Sequence, residues 1–322
     1  MANTKEIQRR IKSVTSTGKI TKAMEMVSAA KMRRATEAVL RTRSYANLSW
    51  TTILNLTRGA NYHELHPLLS PRTEIKKVAI IMFSANRGLC GSFNSALLNK
   101  VQDSIDKHQT NSSGDTIENE FVVFGKKGLA VSSRLGHKVV ADFIKNDTNA
   151  GVADITPIAK MVTKDFLAGR YDKILVAYTD FVNAAVQVPR IKQLLPIDLD
   201  AQDDHLGVVG KSAKVGLDKE YVKGKETKYL KDETGFAYDF TYEPSPAEVL
   251  DKMIPRLIEV QLFQALLESN ASEHSARMAT MHQANESAKD LISELTLYYN
   301  KARQASITSE IAEIAAGANA LK

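Results

Sequence analysis

The chain has 322 residues but a single cysteine, Cys90, which the pattern predicts to be a small buried residue beside a strand. One thiol cannot form an internal disulfide, and no cysteine and histidine residues have the spacing of a zinc site. No run approaches the roughly 18 consecutive apolar residues of a membrane-spanning helix, and the start, MANTKEIQRR, lacks the apolar segment of a signal peptide. We therefore expect a protein made in the cytosol, without disulfide, zinc or membrane span.

Catalytic patterns are also missing. The seven histidines are scattered, and no Ser–His–Asp, Cys–His or paired-carboxylate arrangement emerges. The turn SANRGLCGSFN (84–94) leaves a predicted strand and enters a helix, where a phosphate loop would lie, but it matches neither dinucleotide nor P-loop motif and lacks the P-loop lysine. Gly88 and Gly91 indicate instead a tight turn with unusual backbone angles. We expect no catalytic residue, no cofactor site and no metal site, so that function must come from shape and surface.

Two long helices are predicted at the chain ends. Residues 277–316 contain neither glycine nor proline, and their small and apolar positions recur every three or four residues, as in a helix that pairs with one other helix. These positions are Ala288, Leu291, Leu295, Tyr298, Ala302, Ile307, Ile311, Ile314, Ala318 and Leu321. A second helix is predicted over 3–57, with one stripe of Ile7, Ile11 and Val14 and, after a phase shift, another of Ile20, Met24 and Val27. Gly18 in this helix indicates a tolerated flaw, a close approach of two helices or a flexible point.

The middle of the chain alternates short apolar runs with helical segments, which is typical of a doubly wound, mostly parallel sheet. The predicted strands are 76–83, 120–125, 137–142, 173–180, an edge strand with Pro189 in 184–197, and 236–246; the predicted helices are 92–107, 126–135 and 154–168. Residues 63–74 indicate a linker, and 198–235 a polar insertion. The predicted fold is therefore an α/β domain (75–245) with a long antiparallel coiled coil of 1–60 and 246–322.

The net charge of +6 is unevenly distributed, because residues 1–43 contain eleven lysines and arginines against three glutamates. Such a helix end is often simply a solvated face, but it can also bind nucleic acid, anionic lipid or an acidic protein surface. No aromatic residue lies among these cations, which disfavours single-stranded nucleic acid. A basic coiled-coil adaptor and an α/β enzyme with helical arms are two classes of protein that these features allow.

Three blocks of sequence resemble the gamma subunit of the rotary F-type ATP synthase: IKSVTSTGKITKAMEMVSAAKMRRA (11–35), FSANRGLCGSFN (83–94) and the C-terminal ASEHSARM…LYYNKARQASITSEIAEIAAGANAL (271–321). The resemblance implies a central-stalk rotor, non-catalytic by itself, within the proton-transporting two-sector ATPase. Its coiled coil would thread a hexamer of alternating alpha and beta subunits, and its α/β domain would lie near the epsilon subunit and the membrane c-ring. It implies no nucleic-acid partner, and a peripheral location on the cytoplasmic side of a bacterial plasma membrane.

The resemblance also implies roles for particular residues. Rotor–stator contacts fall at Lys22, Met24, Lys31, Arg277, Gln304, Thr308 and Glu310, and contact with the membrane ring at Tyr242 and Glu243. Arg277, Gln304 and Thr308 are expected to be polar groups on a helix too slim to bury them. The chain departs from the family at Asn86, where an acidic residue is usual, and Cys90 alone cannot form the regulatory disulfide of plastid relatives.

Overall fold

The computed structural model describes residues 4–57, 66–110, 114–130, 135–146, 150–197, 243 and 245–320. It contains two compact units, one of residues 1–29 with 277–322 and one of residues 30–276. Helix α1 spans Thr4–Thr57 and helix α4 spans Pro246–Ala320, so both predicted long helices are confirmed. Proline at the first position of α4 is favourable because its missing N–H would have no partner there, and Ser245 Oγ accepts the backbone N–H of Glu248 at 3.3 Å.

The larger unit contains a five-stranded sheet with the order β3-β2-β1-β4-β5. Its strands are β1 (Lys77–Phe83), β2 (Glu118–Phe124), β3 (Lys138–Phe143), β4 (Lys173–Phe181) and β5 (Gln187–Leu195). The first four run parallel, and β5 is an antiparallel edge strand that accommodates Pro189, as predicted.

Helices cover both faces of this sheet. Helix α2 (Phe93–Lys107) packs on one face, against the side chains of Val78, Ile80 and Met82. Helix α3 (Val152–Leu167) and the first turns of α4 pack on the other face, where Phe83 and Phe124 meet edge to face at 5.5 Å. Burial on both faces explains why β1 is a continuous apolar run, and the doubly wound fold is confirmed.

Two predicted segments differ in detail from the structure. The helix predicted over 126–135 begins as a 3-10 helix, Lys126–Leu129; Ala130 and Leu135 are α-helical, and residues 131–134 lie outside the described part of the chain. The 3-10 helix follows Gly125, whose φ of 105° brings the backbone so close to Ser84 that a Cβ would lie 2.4 Å from the Ser84 carbonyl oxygen. Leu68 and Leu69, in the segment interpreted as a linker, are fully buried in the core. The insertion 198–235, Tyr242 and most of the strand 236–246 lie outside the described residues.

Candidate functional site

The smaller unit is a pair of antiparallel helices, formed by residues 4–29 of α1 and 277–320 of α4. A Cβ added to Gly18 would lie 3.5 Å from Ala288 Cβ, and His282 Nδ1 lies 3.3 Å from Glu25 Oε1. The shielded positions of α1 are Ile7, Ile11, Val14, Gly18, Thr21, Met24 and Ser28; those of α4 are Met281, Asn285, Ala288, Ile292, Leu295, Tyr299 and Ala302. We call these residues the pairing stripe; their spacing of three and four residues is that of a coiled coil.

The pairing stripe differs from the predicted one in its second half. Ile20 and Val27 are 58% and 57% exposed, because Gly18, Thr21 and Ser28 continue the stripe without the predicted phase shift. On α4, Leu291 and Tyr298 are exposed, and the adjacent Ile292 and Tyr299 are half-buried in their place. Small and hydroxyl-bearing residues form much of this second half, and the apolar pattern of the sequence does not mark them. Gly18 therefore marks a close helix approach.

The last part of α4 extends beyond the described part of α1. Helix α1 begins at Thr4, fourteen residues before Gly18, and Ala302 lies fourteen residues beyond Ala288. From residue 303 to 320, α4 has no partner helix among the described residues, which at about 1.5 Å per residue is about 27 Å of single helix. Ile307, Ile311 and Ile314, predicted to pair, are 48%, 62% and 73% exposed. An unpaired helix with exposed isoleucines indicates a surface for another protein.

The residues expected to make contacts on α1 lie in different surroundings. Lys22 is exposed, and its Nζ lies 3.1 Å from both carboxylate oxygens of Glu25, a hydrogen bond that lowers the pKa of Glu25. Met24 is half-buried within the pairing stripe, and Lys31 is half-buried on the part of α1 that belongs to the larger unit.

Those expected on α4 are exposed, with one exception. Gln304, Thr308 and Glu310 are exposed on the single helix, where the Thr308 hydroxyl donates to the Gln304 carbonyl at 2.9 Å. Arg303, exposed beside Gln304, is a cation that the sequence reading did not single out. Arg277, by contrast, is only 8% exposed, so the expectation that a slim helix leaves it unburied was wrong. Glu243 is exposed, and Tyr242 lies outside the described residues.

The carboxyl edge of the sheet is where open α/β folds bind ligands, in the crevice where the strand order reverses. In this sheet the reversal lies between β1 and β4. Helix α4 occupies that place: the Ser269 hydroxyl donates to the Phe83 carbonyl at the end of β1 at 3.3 Å, and the Ser272 hydroxyl donates to the Thr179 carbonyl of β4 at 3.1 Å. The helix therefore fills the crevice in which a nucleotide would otherwise bind.

The turn 84–94 is closed by its own side chains. Asn86 Nδ2 donates to the Lys145 carbonyl, and Asn94 Oδ1 accepts the backbone N–H of Ala85 at 3.0 Å. A carboxylate at position 86 could not donate this bond, which explains how asparagine fits here. Of the two glycines predicted to have unusual backbone angles, Gly91 has a positive φ angle of 56° and Gly88 does not; Leu89 has a positive φ angle of 62°. Cys90 is buried, as predicted.

A buried carboxylate, Glu120, lies at the opposite, amino edge of the sheet. Its Oε1 lies 2.6 Å from Lys138 Nζ and 3.1 Å from Lys77 Nζ, and its Oε2 accepts from the Tyr171 hydroxyl at 2.6 Å. Burial by itself would raise the pKa of Glu120, but the hydrogen bonds from Lys138, Tyr171 and Lys77 outweigh it and lower the pKa to about 2. Burial and the hydrogen bond to Glu120 raise the pKa of Tyr171. This cluster joins the starts of β1, β2, β3 and β4 and has the character of a structural ion-pair network.

Within the ranges that the structure describes, no three histidine, cysteine, aspartate or glutamate side chains are grouped as metal ligands. Among the same residues, no helix combines the length and the apolar character that crossing a membrane requires.

Comparison with known proteins places the chain in a family. A family model described as ATP synthase matches residues 3–321. The ATP synthase gamma chain of Herpetosiphon aurantiacus is 41% identical over 327 residues, covering 100% of this chain and 99% of that relative. The gamma chain of Roseiflexus castenholzii is 42% identical over 321 residues, with the same coverage.

Two solved structures share the fold. A chain of the Euglena gracilis mitochondrial ATP synthase (OSCP/F1/c-ring, rotational state 3) has a TM-score of 0.62 and 18% identity, covering 99% of this chain and 94% of that chain. A chain of the Tetrahymena thermophila mitochondrial ATP synthase (central stalk and c-ring) has a TM-score of 0.56 and 21% identity, covering 82% of this chain and 99% of that chain.

Fold and site thus define a protein that combines a long antiparallel helix pair with an α/β domain whose ligand crevice is filled by its own helix. With the full-length similarity to gamma chains, the resemblance seen in the sequence is confirmed: the chain belongs to the gamma-subunit family of the F-type ATP synthases.

Proposed function

We propose that the chain is the central-stalk rotor of a bacterial F-type ATP synthase and couples rotation of the membrane c-ring to ATP synthesis and hydrolysis at the alpha/beta hexamer. The observation that carries the proposal is the helix pair, which ends in about 27 Å of single helix with exposed apolar side chains. A rotating shaft needs a slim end whose outer surface meets a surrounding sleeve.

The chain itself contributes no catalytic group in this account. The filled crevice between β1 and β4 and the closed 84–94 turn support that part of the proposal, since both places where an α/β fold would hold a nucleotide are occupied by the chain's own side chains. The nucleotide chemistry belongs to the alpha and beta subunits.

The contacts with the hexamer are proposed from the family resemblance. Lys22, which is exposed, and the half-buried Met24 and Lys31 of α1 would meet the beta subunits, and the cationic surroundings suit acidic loops there. Gln304, Thr308 and Glu310 on the single helix, together with Arg303, would make polar contacts during part of each turn. Arg277 is left out of this set because it is buried.

The remaining partners follow from the family. Tyr242 and Glu243 would contact the membrane c-ring, and the α/β domain would also bind the epsilon subunit. The assembled complex would be peripheral to the cytoplasmic side of the plasma membrane.

Reconstitution tests the proposal. The full chain, mixed with the alpha and beta subunits, is expected to copurify in a single copy with the hexamer and to support steady ATP hydrolysis. A variant ending at residue 302 lacks the single helix and serves as the comparison; its complexes are expected to lose hydrolysis or stability. Strongly salt-dependent binding of the isolated chain to DNA or anionic vesicles, without assembly, would contradict the proposal and favour a basic adaptor.

A further inference from the structure

Helix α4 changes character where it crosses the carboxyl edge of the sheet. In the first turns of α4 the buried side chains are apolar and belong to the core of the larger unit. Further along the helix come five polar residues that are at most 3% exposed: Ser269, Asn270, Ser272, Glu273 and Ser275. We call these five residues the polar joint. Burying this many polar groups is costly unless each one is hydrogen-bonded.

The bonds of the polar joint reach several separate parts of the sheet edge. Ser269 and Ser272 donate to carbonyls of β1 and β4, and the Ser275 hydroxyl donates to the Ala184 carbonyl, in the turn after β4, at 2.7 Å. Lys145 Nζ lies 2.5 Å from Glu273 Oε2, an ion pair in which both side chains are buried. The helix is therefore bonded at once to β1, β4, the turn after β4 and the segment after β3.

These bonds differ in kind from the apolar packing of the neighbouring turns. Apolar contacts are non-directional and allow a helix to slide or roll over a sheet, whereas hydrogen bonds weaken steeply with misalignment. Buried ion pairs are weak evidence for stability and are better attested as devices that fix register.

Two further buried polar oxygens lie at the polar joint. Of the described buried side-chain atoms, Thr179 Oγ1 and Asn270 Oδ1 have no hydrogen-bond partner within the protein. Asn270 belongs to the polar joint, and Thr179 accepts from Ser272 through its backbone carbonyl.

Building on the proposed rotor function, we infer that the polar joint is the connection that transmits torque between the α/β domain and α4. Glu273 and its partner Lys145 are positioning residues, which fix the rotation and axial position of the helix on the sheet. When the c-ring drives the domain, these directional bonds resist slipping, which apolar packing alone would allow under load.

The test uses the complete ATP synthase in sealed vesicles. The main variant replaces Ser269, Ser272 and Ser275 by alanine. Ser275→Ala alone is a milder second variant, which removes the bond to the Ala184 carbonyl and the one that Ser275 Oγ accepts from Gln187 Nε2. A third, Lys145→Met with Glu273→Met, removes the ion pair without leaving an unpaired charge. Thr179→Val is the matched control, because it changes a buried side chain at the same place and keeps the carbonyl that Ser272 uses.

The readout is the ratio of ATP-driven proton pumping to ATP hydrolysis, measured against an increasing opposing proton gradient. We expect this ratio to fall with the gradient in the triple variant and the ion-pair variant, less so in Ser275→Ala, and to follow the wild type in Thr179→Val. If the polar joint had only a structural role, the substitutions would lower the melting temperature and the yield of assembled complex. The ratio of pumping to hydrolysis in the complexes that do assemble would then stay unchanged at every gradient.

Each outcome decides the matter. An unchanged ratio in Ser275→Ala and in either larger variant that assembles would overturn the torque assignment. If the larger variants fail to assemble, Ser275→Ala decides alone. If the wild-type chain itself supports hydrolysis without pumping, the proposed rotor function fails instead, so the two failures are distinguishable.

Discussion

Replacing Glu120 by glutamine would remove a buried negative charge from between Lys77 and Lys138 while keeping the shape of the side chain. The neutral amide can still accept the Tyr171 hydroxyl, which now lies 2.6 Å from Glu120 Oε2. The substitution therefore isolates the electrostatic part of the interaction. It also leaves two lysines next to each other without their common partner.

The size of the effect follows from the pKa. Lowering the pKa of Glu120 from 4.5 to about 2 corresponds to about 3 kcal/mol, at about 1.4 kcal/mol for each tenfold change in affinity for the proton. Because the folded-state pKa is the lower one, this stabilisation is fully present above the unfolded-state pKa and is lost as the pH falls from about 5 to about 2. At pH 7 the variant should thus be about 3 kcal/mol less stable than the wild type, and the difference should shrink in acid.

Urea unfolding of the isolated chain, followed by circular dichroism at pH 7, 5 and 4, measures this difference. Glu118→Gln is the matched control: Glu118 lies 3.2 Å from the same Lys77 but its side chain is 56% exposed, and exposed pairs contribute about 0–1 kcal/mol. Equal small losses in both variants, or a loss in Glu120→Gln that does not shrink at pH 4, would refute the reasoning.

Three further predictions concern the helix pair and the sheet edge. Gly18→Ala should stabilise the isolated chain by about 1 kcal/mol, because the new Cβ meets Ala288 at an ordinary 3.5 Å, whereas Gly18→Leu should lower the melting temperature; equal effects would contradict the close approach. Thr179→Val should raise stability by about 1 kcal/mol, since it removes an unpaired buried hydroxyl; a loss in urea unfolding would show that the hydroxyl is satisfied. Gln304→Ala and Thr308→Ala should leave melting of the free chain unchanged and lower ATP turnover of the assembled complex, and the reverse order of effects would exclude a contact role.

The sheet was predictable because its signal is local. The strand β1 is a continuous apolar run, and the edge strand β5 carries a proline that an inner strand would exclude. The 3-10 start of the helix over 126–135 was not predictable, because it depends on Gly125 and Gly128 lying against Ser84, a residue distant in the sequence. Local pattern thus located the strands and could not supply the packing between them.

The pairing stripe was only half predictable, because helices that approach closely bury small residues. Gly18 and Ser28 lie in the stripe, while Ile20 is exposed. Apolar periodicity therefore mixed two surfaces, one that pairs the helices and one that faces outward.

The polar joint could not be predicted from the sequence at all. Serine and glutamate on a helix normally indicate an exposed face, and nothing near Glu273 in the sequence indicates Lys145, 128 residues away. The burial of Arg277 was missed for the same reason, since exposure was inferred from residue type alone.

Single-molecule rotation tests the rotor claim most directly. A bead attached through Lys107→Cys, at an exposed position of α2, would report on the chain in a complex with surface-fixed alpha and beta subunits, while the buried Cys90 stays unlabelled. We expect the bead to turn stepwise in one direction when ATP is supplied, and to stop when ATP is removed. Sustained ATP hydrolysis by single complexes whose beads do not rotate would contradict the account.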